Sequence, residues 1–198
     1  SGKRLLTVAT DCASGKKYTA LAMNQAMSEA GMKSTFRASG QTGIMIAGEG
    51  IPIDAVAADF ISGAAEILSP DNDTDHWDII EGQASLSHPG YSGVSLGLLH
   101  GSQPDAFVVC HEATRKTISG WDHYSLPSIQ ECVDLNVQMG KLTNPNIKCV
   151  GISINTSRLP ANEREHYLAN LSKDSGLPCV DPLIDGCDAI VKYINENT

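Results

Sequence analysis

The sequence lacks several features that define whole classes of protein. It has no apolar stretch of about 20 residues, the length needed to span a bilayer, and its N-terminus lacks the charged-then-apolar layout of a signal peptide. No basic run interrupts the excess of 23 acidic over 14 basic side chains. The resulting net charge of −9 disfavours DNA and anionic lipid as partners, because both need a positive field. We therefore expect a cytoplasmic protein that binds neither nucleic acid nor membrane.

The cysteine pattern excludes two further classes. Six cysteines are present, none of them in a CxxC pair, and several lie inside apolar runs such as FVVC and KCVGI. This spacing is typical of reduced, buried thiols rather than of a disulfide framework or a zinc site. We therefore expect no metal to be bound by the cysteines.

Apolar runs of strand length alternate with helical patterns along the whole chain. Such alternation predicts one α/β domain with a mostly parallel sheet and helices on both faces. The predicted strands are Leu5–Ala9, Thr35–Ala38, Trp77–Glu81, Ala106–His111, Lys148–Ile154 and Pro178–Val180. Helices are predicted from the first loop to about Gly31, over Ile53–Leu68, Ser128–Leu142 and Pro160–Ser175, and from Cys187 onward. The stretch Gly82–Gly101 is predicted to be a long irregular loop, a feature that is often functional.

The loop after the first predicted strand reads ATDCASGKK and leads directly into a helix. A tight loop in this position directs backbone N–H groups and the positive end of the helix toward one point, where an anion can bind. Lys16 supplies the charge that a phosphate oxygen needs. The candidate anion-binding residues are Thr10, Asp11, Cys12, Ser14, Gly15, Lys16 and Lys17.

The residue after Lys16 departs from the usual phosphate-loop pattern. A Ser or Thr normally stands there and holds magnesium, whereas this chain has Lys17. Either no metal binds, or Thr19 or a carboxylate takes over its coordination. Two lysines at a helix start favour a metal-free polyanion. Cys12 lies in the same loop, where the helix terminus would lower the pKa of its thiol and favour reactivity.

Two side chains are candidates for proton transfer. Glu81 follows a predicted strand at the carboxyl edge of the sheet, where ligands bind in open α/β folds. It is a candidate general base, metal ligand or partner of Lys16, and its proximity to lysines should favour the charged pair. His88 lies in the Gly- and Ser-rich loop and is the other candidate base.

Further polar residues are candidates for substrate binding because they follow predicted strands or lie in the same loop. Gln41 and Thr42 lie in an expected turn, Gly40–Gly43, and Asn155 offers a donor and an acceptor to a nucleobase. The remaining candidates are Gln83, Ser85, Tyr91 and His111.

Four segments carry a resemblance to a known family. They are TDCASGKKYTA, ASGQTGIMIAGEGIPIDAVAADFISGAAE, EGQASLSHPGYSGVSLGLLHGSQPDAFVVCHE and GISINT. Together they resemble the phosphate-loop domain of a bacterial and archaeal family that includes D-glutamate N-acetyltransferases. The resemblance implies a three-layer sandwich like that of P-loop NTPases, acetyl-CoA as donor and the amine of D-glutamate as acceptor. Lys16, Lys17 and the backbone of Thr10–Gly15 would hold the coenzyme phosphates.

The resemblance also implies partners and alternatives. Family members usually carry an N-terminal Rossmann-like domain, so we expect this chain to be the C-terminal domain of a two-domain protein and to form a homo-oligomer. The loop, with EGQ after a later strand, is also similar to dethiobiotin synthetase, an enzyme that uses ATP with magnesium. A kinase or ligase of that type, or a non-catalytic nucleotide-binding domain, therefore remains an alternative to the acetyltransferase.

Overall fold

A single six-stranded sheet forms the centre of the molecule. The computed structural model describes residues 1–198, and its strands follow the order β2-β3-β1-β4-β7-β8 with every neighbouring pair parallel. A separate antiparallel hairpin consists of β5 and β6. The predicted strands of the main sheet are confirmed to within two residues at each end. The strands are β1 Lys3–Ala9, β2 Ser34–Arg37, β3 Trp77–Ile80, β4 Ala106–Glu112, β5 Thr117–Ile118, β6 Trp121–Ser125, β7 Lys148–Asn155 and β8 Cys179–Val180.

Helices cover both faces of the sheet, as the alternating pattern predicts. Consecutive strand residues point to opposite faces, so Leu5 packs with α1 and α7 whereas Leu6 packs with α3, α4 and α5. The helices are α1 Lys16–Glu29, α2 Gln41–Ala47, α3 Ile61–Leu68, α4 Ser92–Ser102, α5 Ile129–Gly140, α6 Ala161–Ser175 and α7 Asp188–Asn197. The predicted α/β fold is thus confirmed. None of the seven helices combines the length and apolar composition needed to cross a bilayer.

The helix predicted over Ile53–Leu68 is wrong in its first half. Only Ile61–Leu68 is α-helical, and two 3-10 turns, Ile53–Ala55 and Ala58–Phe60, precede it. Val56 adopts extended torsion angles, φ −85° and ψ 136°, which interrupt the helical path. Ile53 is still completely buried, so the apolar pattern correctly indicated burial but not conformation.

Two helices replace segments that were predicted to be irregular. The expected turn at Gly40–Gly43 is the start of α2, and α4 occupies the second half of the expected loop Gly82–Gly101. Gly97 and Gly101 lie where α4 crosses α3. A Cβ on Gly101 would lie 2.2 Å from the Ser62 carbonyl oxygen, so these glycines allow a close helix–helix approach rather than a flexible loop.

The topology brings the candidate site residues to one edge of the sheet. The chain runs outward from β1 to β2, returns to β3 and then crosses to β4 on the other side of β1. The strand order therefore reverses beside β1, and ligands of open α/β sheets bind in the crevice at such a point. The loop of residues 10–15, which we call the P-loop, leaves the carboxyl end of β1 at this crevice.

Candidate functional site

The P-loop wraps around its own lysine. Gly15 adopts a positive φ of 101° at the N-cap of α1, a conformation that glycine accepts at low cost. The Lys16 ammonium donates a hydrogen bond to the Asp11 carbonyl oxygen at 3.0 Å, and the Ser14 hydroxyl donates to the same oxygen at 3.1 Å. The Lys16 side chain thus folds back over the loop.

No carboxylate pairs with the Lys16 ammonium. Lys16 is 7% exposed, and burial lowers the pKa of its ammonium because desolvation penalises the charged form. The sequence predicts that nearby lysines favour the charged form of Glu81. That prediction is wrong, because burial raises the pKa of Glu81 and so favours its neutral form. An anionic ligand would therefore supply the charge that the protein itself does not provide.

The Asp11 side chain holds the P-loop in place. Its completely buried carboxylate accepts hydrogen bonds from the Cys12 backbone N–H at 2.7 Å, from Arg115 Nη1 at 2.9 Å and from the Ser119 backbone N–H at 2.8 Å. Arg115 also contacts the Glu112 carboxylate at 3.3 Å. Asp11 therefore fixes the P-loop to the β5–β6 hairpin and does not itself face a ligand cleft.

A cleft of about 580 Å³ opens beside the P-loop, within the range typical of small-molecule sites. It brings together seven of the predicted site residues, Ser14, Gly15, Lys16, Lys17, Glu81, Gln83 and Asn155. We call it the P-loop cleft. Its lining also includes residues that the sequence patterns did not indicate, among them Tyr18, Asp181 and the segment 182–184.

The missed wall of the P-loop cleft is apolar and exposed. Tyr18 is 52% exposed, Leu183 72% and Ile184 63%. Asp181 holds this wall in place, because its carboxylate accepts the backbone N–H groups of Thr156 at 3.0 Å and Leu183 at 3.1 Å. The available sequence signal was the apolar segment 182–184, which closely follows the predicted strand Pro178–Val180.

Glu81 lines the P-loop cleft and also binds the backbone just before α2. Its Oε2 accepts the backbone N–H groups of Ser39 and Gly40, each at 3.1 Å. Burial raises the pKa of Glu81, while these two hydrogen bonds oppose the shift. A carboxylate with a raised pKa in a cleft is suited to proton transfer.

The Thr19 hydroxyl is not free to hold a metal. It lies 3.0 Å from the Gly15 carbonyl oxygen and 2.7 Å from the Ser153 hydroxyl, and Thr19 is completely buried. The replacement of the usual hydroxyl by Lys17 is therefore not compensated by Thr19. Lys17 instead places its ammonium 4.7 Å from the ring centre of Tyr18.

Several predicted site residues lie outside the P-loop cleft. Thr10, Ser85 and His111 form a buried cluster in which the Thr10 hydroxyl lies 2.9 Å from His111 Nδ1 and the Ser85 hydroxyl donates to the Thr10 carbonyl oxygen at 3.2 Å. Burial lowers the pKa of His111. Gln41 and Thr42 are exposed on α2 and line neither this cleft nor the neighbouring cavity described below.

His88 is brought next to Cys12 and Asp11, within 4.8 Å of each other by their side-chain nitrogen, sulfur and oxygen atoms. His88 is 2% exposed, its ring stacks on Tyr91 at 4.4 Å, and its Nδ1 accepts the Gly90 backbone N–H at 3.1 Å. The neutral ring must then carry its proton on Nε2, so His88 presents a donor rather than a free basic nitrogen. No local sequence pattern predicts that His88 lies next to Cys12 and Asp11.

Cys12 differs from its prediction in one respect. Burial raises the pKa of its thiol, and Asp11 adds to this shift, although Lys16 and Arg115 oppose it. The expected lowering by the helix terminus is therefore wrong. The Cys12, Asp11 and His88 atoms are close enough to share a metal ion, but the Asp11 carboxylate already accepts three hydrogen bonds, one of them from a guanidinium.

A second cavity of about 340 Å³ lies next to the P-loop cleft. Ala13, Lys16 and Gln83 line both this cavity and the P-loop cleft. Its remaining lining residues are Cys12, Asp54, Ala84, Tyr91 and Val94. The two spaces therefore meet at Lys16.

A parallel sheet whose order reverses beside a lysine-bearing loop defines a nucleotide-type P-loop domain. The chain matches the family described as "Domain of unknown function (DUF1611_C) P-loop domain" over residues 1–191, and it belongs to that family. This confirms the resemblance inferred from the four sequence segments.

Individual relatives agree with this assignment. The chain is 57% identical over 190 residues to a D-glutamate N-acetyltransferase of a Pseudoalteromonas species, covering 96% of this chain and 57% of that relative. It thus spans little more than half the length of this curated relative. A crystal structure of a DUF1611 family protein from Anabaena variabilis is 35% identical, with a TM-score of 0.91 over 99% of this chain and 58% of that one.

A more distant likeness confirms the type of fold. Cobyrinic acid a,c-diamide synthase from Mycobacterium smegmatis, solved with bound ADP and magnesium, is 14% identical. Its TM-score is 0.56 over 98% of this chain and 92% of that one. At this identity the likeness concerns the fold alone, and it agrees with the predicted P-loop NTPase-like sandwich.

Proposed function

We propose that this chain binds acetyl-CoA in the P-loop cleft and takes part in the transfer of its acetyl group to the amine of D-glutamate. The observation that carries the proposal is the 57% identity to a D-glutamate N-acetyltransferase. Because the match extends over 190 of 198 residues, it must include most of the cleft lining. The match covers 57% of that relative's length, so the activity of the whole protein is part of the same proposal.

The cleft has the groups that the coenzyme needs. Lys16, Lys17 and the backbone N–H groups at the start of α1 would hold phosphate oxygens. Asn155 and the apolar segment 182–184 would bind the adenine ring, since they combine an amide with exposed apolar surface. Neither role needs a metal ion, in keeping with Lys17 in place of the usual hydroxyl.

Acetyl-CoA supplies an acetyl group activated as a thioester. The acceptor must attack as a neutral amine, so a base has to take a proton from its ammonium. Of the two predicted bases, Glu81 is the better supported, because it lines the cleft and burial raises its pKa. His88 would act instead as a hydrogen-bond donor, since its Nδ1 already accepts the Gly90 N–H.

Thermal-shift and calorimetric titrations with acetyl-CoA, CoA and ATP, the last with and without magnesium, test the proposal. We expect acetyl-CoA and CoA to raise the melting temperature without added metal. In Lys16→Met the affinity should fall about 10- to 100-fold, because one charge-assisted hydrogen bond contributes about 1.5–3 kcal/mol. Lys192→Met, an exposed lysine on α7, is the matched control and should leave the affinity unchanged.

The alternative of an ATP-dependent kinase or ligase makes the opposite prediction. Stabilisation by ATP with magnesium, together with no response to acetyl-CoA, would reject the acetyltransferase proposal. Acetylation itself is measured by the release of free CoA thiol in the presence of D-glutamate. Glu81→Gln should lower kcat by about 10²- to 10⁴-fold, the usual contribution of a general base.

A further inference from the structure

The second cavity, of about 340 Å³, lies directly against the P-loop cleft and has no role so far. It is separated from the cleft by residues that line both, among them Lys16 and Gln83. A group transfer requires donor and acceptor to meet within bonding distance. A space that opens on the same lysine as the proposed donor site is placed to hold the acceptor.

The charges of the second cavity are of both signs. Lys16 contributes an ammonium and Asp54 a carboxylate, while Val94, Ala84 and the ring of Tyr91 provide apolar or aromatic surface. Gln83 adds an amide that can both donate and accept. A zwitterion with a short carbon chain matches this set, because its carboxylate and its ammonium each find an opposite charge.

We propose that the second cavity binds the amino-acid acceptor: Asp54 attracts its ammonium at the entrance, Lys16 holds a carboxylate, and the amine reaches the P-loop cleft beside Gln83, where Glu81 takes its proton. This inference rests on the proposed function for the identity of the acceptor as D-glutamate. Asp54 is exposed in the first of the two 3-10 turns that follow α2, so the ammonium would enter from solvent past this side chain. Asp54 is thus a specificity-determining residue that the sequence motifs do not indicate.

Cys12 provides a reporter for this cavity. It lines the cavity and is partly exposed, whereas none of the other five cysteines lines either space. Burial raises the pKa of Cys110 and Cys179 to about 11 and that of Cys132, Cys149 and Cys187 to about 12, so these thiols should react more slowly with an alkylating reagent.

The test is the rate at which iodoacetamide alkylates Cys12 in the folded 198-residue chain. The labelled protein is then digested, and the labelled fraction of Cys12 is measured by peptide mass spectrometry. We expect 10 mM D-glutamate, a concentration on the order of ten times a millimolar Kd, to slow the labelling of Cys12 about tenfold. Asp54→Asn should lose this protection, and Asp59→Asn, an exposed carboxylate five residues further that lines neither space, should keep it. Val94→Trp should also abolish protection by filling the cavity.

The outcomes separate this inference from the proposed function. Protection by D-glutamate without any response to acetyl-CoA would support the acceptor cavity and reject the donor proposal. Stabilisation by acetyl-CoA without protection of Cys12 by D-glutamate would overturn the acceptor cavity and leave the donor proposal intact. Equal protection in Asp54→Asn and in the wild type would likewise overturn the inference.

Discussion

Arg115 Nη1 lies 2.9 Å from Asp11 Oδ2 and 2.6 Å from the Cys12 carbonyl oxygen, so one guanidinium holds both the side chain and the backbone of the P-loop. The pair joins residues that are 104 positions apart. Because Asp11 is completely buried and Arg115 mostly so, the shape of the P-loop depends on an ion pair with a residue outside the loop.

We expect Arg115→Met to destabilise the protein and weaken acetyl-CoA binding together. Removing one partner of a buried ion pair leaves an uncompensated charge and costs about 3–5 kcal/mol. For a protein of this size that corresponds to a fall in melting temperature of roughly 6 °C or more. Arg158→Met is the control, because Arg158 is 73% exposed and lies 3.7 Å from the Glu112 carboxylate that Arg115 also contacts. A loss of the same size in both variants would contradict a specific role for Arg115.

The ion pair between Asp11 and Arg115 is an example of a contact that the sequence does not predict. The anion-binding loop and the strands of the main sheet follow from local patterns, namely an apolar run, a Gly-Lys pair and a helical stripe. The contacts of Asp11 with Arg115 and of His88 with Cys12 depend on how distant segments pack, and no local pattern encodes them. For the same reason Thr10 and His111 were predicted to face a ligand, whereas they hydrogen-bond to each other in the interior.

Lys16→Met should raise the melting temperature of the ligand-free protein even though it weakens binding. Burial lowers the pKa of Lys16, so keeping it charged at neutral pH costs free energy in the folded state. Met keeps the apolar stem and removes the charge. We expect a gain of about 2–4 °C, equivalent to roughly 1 kcal/mol, in differential scanning calorimetry without ligand. A lower melting temperature would mean that the hydrogen bond to the Asp11 carbonyl oxygen outweighs the cost of burying the charge.

Gly43→Ala tests the position of the Glu81 carboxylate. A Cβ at Gly43 would lie 2.1 Å from Glu81 Oε2, so the carboxylate must move away from the start of α2. We expect this overpacking to cost about 1–3 kcal/mol in chemical denaturation and to reduce acetyl transfer. Gly63→Ala on α3 is matched in chemistry, but its Cβ would meet no atom within 4 Å. That substitution should stabilise the protein by about 0.5–1 kcal/mol; a gain at both positions would show that Glu81 has room to move.

The affinity for acetyl-CoA should decrease with rising pH earlier than an ordinary lysine would allow. A phosphate monoester is fully ionised above about pH 7.5, since its second pKa is near 6, so the ligand charge is constant in this range. Burial lowers the pKa of Lys16 below its usual value of 10.5. The cation is therefore lost as the pH rises through that lowered pKa, and the phosphates lose their partner. The same lowered pKa has the opposite effect on folding. Because the unfolded chain binds this proton more tightly than the folded protein, the free energy of unfolding should rise with pH over the same window.

Calorimetric titrations of acetyl-CoA between about pH 7.5 and pH 10, where the ligand charge is constant, measure this effect. We expect the dissociation constant of the wild type to rise across the series toward that of Lys16→Met, and the rise to begin at a lower pH than for an ordinary lysine. Lys17→Met should keep the same pH dependence at a weaker overall affinity, because Lys16 is unchanged. Lys16→Met should be weak and independent of pH. If Lys17→Met instead removed the pH dependence, the phosphates would be bound mainly by Lys17, and the P-loop lysine would have to be assigned a different role.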